Sequence, residues 1–146
     1  MRLLPVLAAL LIATPAAAWD TQQRSGFASA SHRVGGYEIT ISCRRDRGFE
    51  LALSDPSLSA SEFEGVTGLM MWVTLPDGRT DRWSVDVVQE GPVLSGPLYV
   101  SDFNLEFFRN GTSFRLDAPL TRKVFMEGDM RGTGAARLAF LEQCGI

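Results

Sequence analysis

Two cysteines constrain this chain more than any other pair of its residues. Cys43 closes an alternating segment, YEITISC, and Cys144 stands almost at the end of the 146 residues. Whether they can pair depends on the compartment, and the first eighteen residues bear on that. MRLLPVLAALLIATPAAA carries one basic residue, Arg2, an apolar run from Leu3 to Ala13, then Pro15 and the triplet Ala16-Ala17-Ala18 before Trp19. A basic start, a short apolar stretch and an A-x-A site describe a secretory signal peptide, and the run falls short of the roughly 20 residues that span a bilayer. Cleavage after Ala18 is expected. No cysteine follows to carry a lipid, so the product is expected to be soluble in the periplasm or secreted.

In an oxidising compartment two thiols pair with each other more readily than they serve as metal ligands or nucleophiles. The expected bond is Cys43–Cys144, with two free buried thiols as the alternative. Such a bond closes nearly the whole domain and pins the last helix onto an early strand; for a loop of that length the chain-entropy estimate is roughly 4 to 5 kcal/mol. Residues 19–146 are of one-domain size. Setting Arg2 aside from the 14 Lys and Arg leaves 13 basic against 17 acidic residues, a net charge of −4 with the signs interspersed. Nucleic acid is an unsuitable partner, because its recognition rests on a concentrated basic face.

Periodicity then assigns the elements. In YEITISC, Tyr37, Ile39, Ile41 and Cys43 share one face, and FELALS repeats the pattern with Phe49, Leu51 and Leu53 inward across the turn RRDRG. Residues 55–65 read as a loop. GLMMWVTL and DRWSVDVVQ flank Pro76-Asp77-Gly78-Arg79, a turn in which proline sets one dihedral and glycine supplies a positive one. VLSGPLYV is short and extended, with Pro97 tolerable only at an edge or bulge. FNLEFF alternates as a strand meeting FRLD across Asn110-Gly111, the preferred reading; a helix from Asp102 to a stop at Gly111 is the other. KVFMEGDM reads as a last strand broken by Gly128. The closing helix begins at Thr133, whose side chain is expected to accept from the first free amides. Ala136, Phe140 and Cys144 follow on one face with Leu141 beside them. The fold class is mainly β, an antiparallel sandwich or flattened barrel with a C-terminal helix.

Chemistry is sparse. The single histidine, His32, lies in the polar stretch SASHRVGG and reads as a solvated loop residue; a small envelope hydrolase built around it is the rival reading. No second His or free thiol stands near it, and no G-x-S-x-G, H-E-x-x-H or phosphate-binding glycine loop is present. No catalytic residue, metal or cofactor is implied. Arg44, Arg45 and Arg47 cluster on one hairpin tip and could grip an anionic partner, though a solvated turn has the same composition. Trp72 faces away from Leu69, Met71 and Val73, so it is either covered by the 55–65 loop or an exposed contact.

The order of parts resembles small exported bacterial proteins of the invasion-associated locus B type and similar type VI secretion-associated proteins. It is carried by the strand ending I-S-C at Cys43, the D-G-R-x-x-x-W hairpin from Asp77 to Trp83, and the G-x-G-A-A-x-L-x-x-L-x-x-C helix ending at Cys144. That resemblance implies a periplasmic β-sandwich and transfers no active site. Separately, Ser95-Gly96-Pro97-Leu98-Tyr99 is similar to the S-G-x-x-Y loop of periplasmic inhibitors of chicken-type lysozyme. This implies Ser95 and Tyr99 as inserted contacts, with Gly96 permitting close backbone approach. The resulting expectation is a non-catalytic exported module that binds a protein or envelope component. N-terminal sequencing of protein recovered from outside the cytoplasm should begin at Trp19; a product that still begins at Met1 would overturn the export assignment.

Overall fold

A computed structural model describes residues 18–55, 57, 60–99 and 102–146. The signal-peptide expectation falls, apart from Ala18, on residues 1–17, which lie outside the described residues. Four strands open the fold as an antiparallel meander: β1 (Asp20–Arg24), β2 (Phe27–Val34), β3 (Tyr37–Arg44) and β4 (Gly48–Ser54). Then come a 3₁₀ turn (Ala60–Phe63) and the hairpin β5 (Gly68–Thr74) to β6 (Thr80–Asp86), followed by β7 (Val88–Glu90) and β8 (Val93–Leu98). Helix α1 (Asp102–Asn110), β9 (Ser113–Ala118), β10 (Lys123–Asp129) and α2 (Thr133–Cys144) complete it. The strands form a six-stranded sheet, β1-β2-β3-β4-β8-β7, and a four-stranded one, β10-β9-β5-β6. The architecture is a sandwich with a C-terminal helix rather than a closed barrel.

Side-chain alternation explains the layers. Ile39, Ile41, Cys43, Leu51, Leu53 and Leu94 are buried from the first sheet, and Leu69, Met71, Val73, Trp83, Val85 and Leu116 from the second. The inward faces read from YEITISC, FELALS and the Pro76–Arg79 hairpin are therefore the observed ones. The two sheets are joined by a strand that changes sheet. β6 ends at Asp86, Val87 is buried, and β7 begins at once against β8. At that crossing the Asp86 carbonyl oxygen lies 1.9 Å from where a Cβ on Gly96 would stand, so only glycine lets the chain pass. Pro97 lies beyond the last residue paired with β7, on a stretch of β8 with a free edge, as its missing N–H requires.

Four sequence readings are corrected. Residues 103–108 lie in helix α1, not a strand. Leu105, Phe107 and Phe108 are all buried, and a strand would send the adjacent pair Phe107 and Phe108 to opposite faces, whereas a helix packs both. Gly111 donates from its N–H to the Phe107 carbonyl (2.8 Å), and a Cβ there would stand 2.5 Å from Val73. β10 runs unbroken through Gly128, which pairs with Phe114; its irregularity lies instead between Val124 and Met126. Thr133 does not accept from the first amides of α2: it is fully buried, and its hydroxyl donates to the Met130 carbonyl (2.7 Å). Leu141 is 48% exposed, so the buried face of α2 is Thr133, Ala136, Ala139 and Phe140.

Cys43 and Cys144 are bonded, closing a separation of 101 residues. Around the bond Phe140 packs edge-on to Phe49 and stacks on Phe108, tying α2 to both β4 and α1. Among the described residues no helix is long and apolar enough to cross a membrane. Reduction, or replacement of both cysteines by alanine, should lower unfolding free energy by about 4 kcal/mol. Urea unfolding with and without reductant measures this; coincident midpoints would refute it.

Candidate functional site

The sheets of a two-layer sandwich spend their inner faces on the core, so chemistry must come from outer faces, edges and ends. The outer face of the six-stranded sheet has a groove of about 640 Å³. Arg44 and Arg47 line it near the β3–β4 turn together with Phe27 on β2, and Ser95, Gly96 and Pro97 line it from β8. Glu50, Asp86 and Glu90 make the remainder acidic. Phe27 lies between two guanidinium groups, Arg24 at 4.7 Å and Arg44 at 5.2 Å from its ring centroid. Among the described residues neither arginine has a carboxylate partner, so their charge is compensated only by solvent and the ring.

Four residues singled out by sequence thus meet in one groove, and three do not join them. Arg45 turns toward the end of α2, where its guanidinium donates to the carbonyls of Gln143 (3.0 Å) and Glu142 (3.4 Å). A cation there satisfies the unpaired carbonyls and the negative end of the helix dipole. Tyr99 follows the end of β8 and is 84% exposed. Trp72 lies on the other sheet. Ser95 through Leu98 is a strand paired residue by residue with β4, not a free loop, and the close approach permitted by Gly96 is taken by this chain's own Asp86.

Trp72 is half-buried on the outer face of the four-stranded sheet, directly opposite Arg82 on β6 and Arg115 on β9. Both guanidinium groups approach its ring, at 5.8 and 5.3 Å. The indole N–H donates to the Asp117 carboxylate (3.1 Å), and the same oxygen pairs with Arg115 at 3.2 Å. A depression of about 550 Å³ beside the ring is bounded by Thr74, Thr80, Ser113, Arg115 and Glu127 among others.

His32 is not a solvated loop residue. It lies on β2, 6% exposed, stacked on Trp19 at 5.4 Å and edge-on to Phe114 at 5.8 Å. Among the described residues its Nδ1 has no hydrogen-bond partner. The element was missed because Ala28 and Ala30 are weak markers of a buried face. The signal that could have found it is Gly35-Gly36, a two-residue hairpin turn in which both glycines have positive φ. Trp19 is held beside it: its backbone N–H donates to the Arg131 carbonyl (2.8 Å) and its indole N–H to the Asp129 carbonyl (3.0 Å). The Asp129 carboxylate accepts from the Arg131 backbone N–H (3.0 Å) and pairs with its guanidinium (3.1 Å). Those bonds hold its pKa below the usual carboxylate range. A carboxylate whose pKa is depressed in the folded state adds stability that is present above the unfolded value and lost as pH falls through the folded one. Among the described residues no group of three or more His, Cys, Asp or Glu is arranged to hold a metal ion.

No family model, curated protein or solved structure matches this chain. Its function must therefore be argued from the two outer faces and the buried aromatic corner. Asp129→Asn should flatten the acid side of the stability curve below about pH 4 relative to the unsubstituted protein. Denaturant midpoints at pH 3 to 7 test this, and parallel curves for the two proteins would contradict it.

Proposed function

We propose that this chain is an exported, non-catalytic binding module that holds a protein or other envelope component in the groove on its six-stranded sheet. One observation carries the reading: Arg44, Arg47, Ser95 and Gly96, drawn from separate parts of the chain, line one groove that is basic at the Phe27 end and acidic toward β7. Such a bipolar surface suits a partner with complementary charges at two points, acidic where it meets Arg44 and Arg47 and basic where it meets Glu50 and Glu90. The exposed Val88 of β7 lies in the same groove and supplies an apolar contact.

The non-catalytic part of the proposal is supported by His32, whose ring is enclosed by Trp19 and Phe114 while the nearby Asp129 is committed to Arg131. Export is supported by the disulfide, which oxidising compartments preserve. We keep the resemblance to the invasion-associated locus B type within the same proposal, since the Cys43–Cys144 bond joins two of the segments that carry it. No specific observation favours the lysozyme-inhibitor reading, because the S-G-x-x-Y segment is largely paired strand.

Immobilised oxidised protein should retain an envelope component that elutes with salt, and Arg44→Glu with Arg47→Glu should weaken that retention by at least about tenfold. Both side chains are exposed, so the fold is kept. Equal retention by wild type and variant would refute the groove as the contact surface.

A further inference from the structure

The outer face of the four-stranded sheet carries a second site, with chemistry unlike that of the groove. Strand pairing lays its outward residues out in rows. Arg82, Trp72, Arg115 and Glu127 lie directly across β6, β5, β9 and β10, and the neighbouring row begins Thr80, Thr74, Ser113. Asp117 fixes the indole by accepting its N–H, and it neutralises Arg115 at the same time. The ring is therefore a preorganised apolar platform rather than a mobile side chain. Among the described residues Arg82 and Glu127 have no ion-pair partner, and they stand at opposite ends of the row, about 14 Å apart at the usual strand spacing.

Asp117 offsets Arg115, while Arg82 and Glu127 leave a cation at one end of the row and a carboxylate at the other, too far apart to neutralise each other locally. A ligand that spans the row and is anionic throughout would be repelled at the Glu127 end, and a purely apolar one would strand the guanidinium and carboxylate groups without partners. What suits the surface is a molecule whose polar groups both donate and accept, with C–H faces to lie on an aromatic ring. We propose that the Trp72 face binds an uncharged saccharide, one ring of a short neutral oligosaccharide stacking on the indole. Its hydroxyls accept from Arg82 and Arg115, donate to Glu127 and exchange hydrogen bonds with Thr74, Thr80 and Ser113. The depression of about 550 Å³ beside Trp72 is of the size that small-ligand sites occupy. This site is independent of the groove on the other sheet, so either can fail without the other.

The test is titration of the oxidised protein with chitotriose, cellotriose and maltotriose, with trigalacturonate as the acidic counterpart. The readouts are calorimetry and the indole N–H resonance of Trp72, assigned from Trp72→Phe. At least one neutral trisaccharide should bind with a dissociation constant of about 1 mM or tighter and shift that resonance. Arg82→Ala, an exposed substitution that leaves the core untouched, should weaken binding about tenfold, and Trp72→Ala more. Trigalacturonate should bind at least about tenfold more weakly than the best neutral probe. No binding by any neutral probe at about 10 mM, equal or tighter binding of the acidic one, or full affinity in both variants would each overturn the proposal.

Discussion

The covalent link between Cys43 and Cys144 sets the position of almost everything else. Cys43 faces inward from β3, so a bond to it can only be made by a segment packed on the inner face of the six-stranded sheet, where α2 lies against β1, β2 and β3 beside α1. The last turn of α2 is that segment, and its small residues Ala136 and Ala139 let the helix approach closely enough for Phe140 to reach Phe49 and Phe108. Polar contacts converge on the same end. Arg45 covers the terminal carbonyls, and the Gln143 side chain accepts from the Gly26 amide at 3.3 Å. A helix of twelve residues is marginal in isolation, so here it draws its stability from tertiary contact and from the bond.

With the inner faces of both sheets spent on the core, two outer faces remain, and they differ in charge. The six-stranded sheet carries at one end arginines around Phe27 that have no carboxylate partner among the described residues, next to a groove that turns acidic toward β7. On the four-stranded sheet the arginines flank Trp72, but one of them is neutralised by Asp117 and the row ends at the carboxylate of Glu127. An aromatic between two arginines thus occurs twice with opposite consequences. What separates the two cases is the carboxylate of Asp117, which the indole N–H of Trp72 holds beside the ring and which the phenyl ring of Phe27 has no donor to hold.

Elements with a clean period of two were readable. β3, β4 and β6 each set large apolar residues against polar or small ones, so burial in the folded protein repeats the pattern in the sequence, whereas β5 is apolar on both faces and buries Leu69, Met71 and Val73. α1 was misread because Phe103, Leu105 and Phe107 satisfy a strand and Phe103 and Phe107 a helix. The adjacent buried pair Phe107 and Phe108 decides between them, and that pair has meaning only once both are known to be inside. β2 was missed for the opposite reason: its fully inward residues are Ala28, Ala30 and His32, with only the half-buried Val34 beyond them, and these carry little hydrophobic signal of their own. Of the site, residue types were legible and grouping was not. Arg44, Arg45 and Arg47 are close in sequence, yet Arg45 turns away to α2, while Ser95 comes from a distant strand to join the other two.

The chain by itself determined the fold class, the pairing of its two cysteines and the inward faces of β3, β4 and β6. Each of these follows from local alternation, or from there being one possible partner. Tertiary structure alone decided that His32 is walled in by Trp19 and Phe114, that Gly96 yields to the crossing at Asp86, and that Trp72 stands between Arg82 and Arg115. Those outcomes depend on strand register and on which sheet a strand joins. Both are set by contacts between residues far apart in sequence, which no short stretch of it encodes.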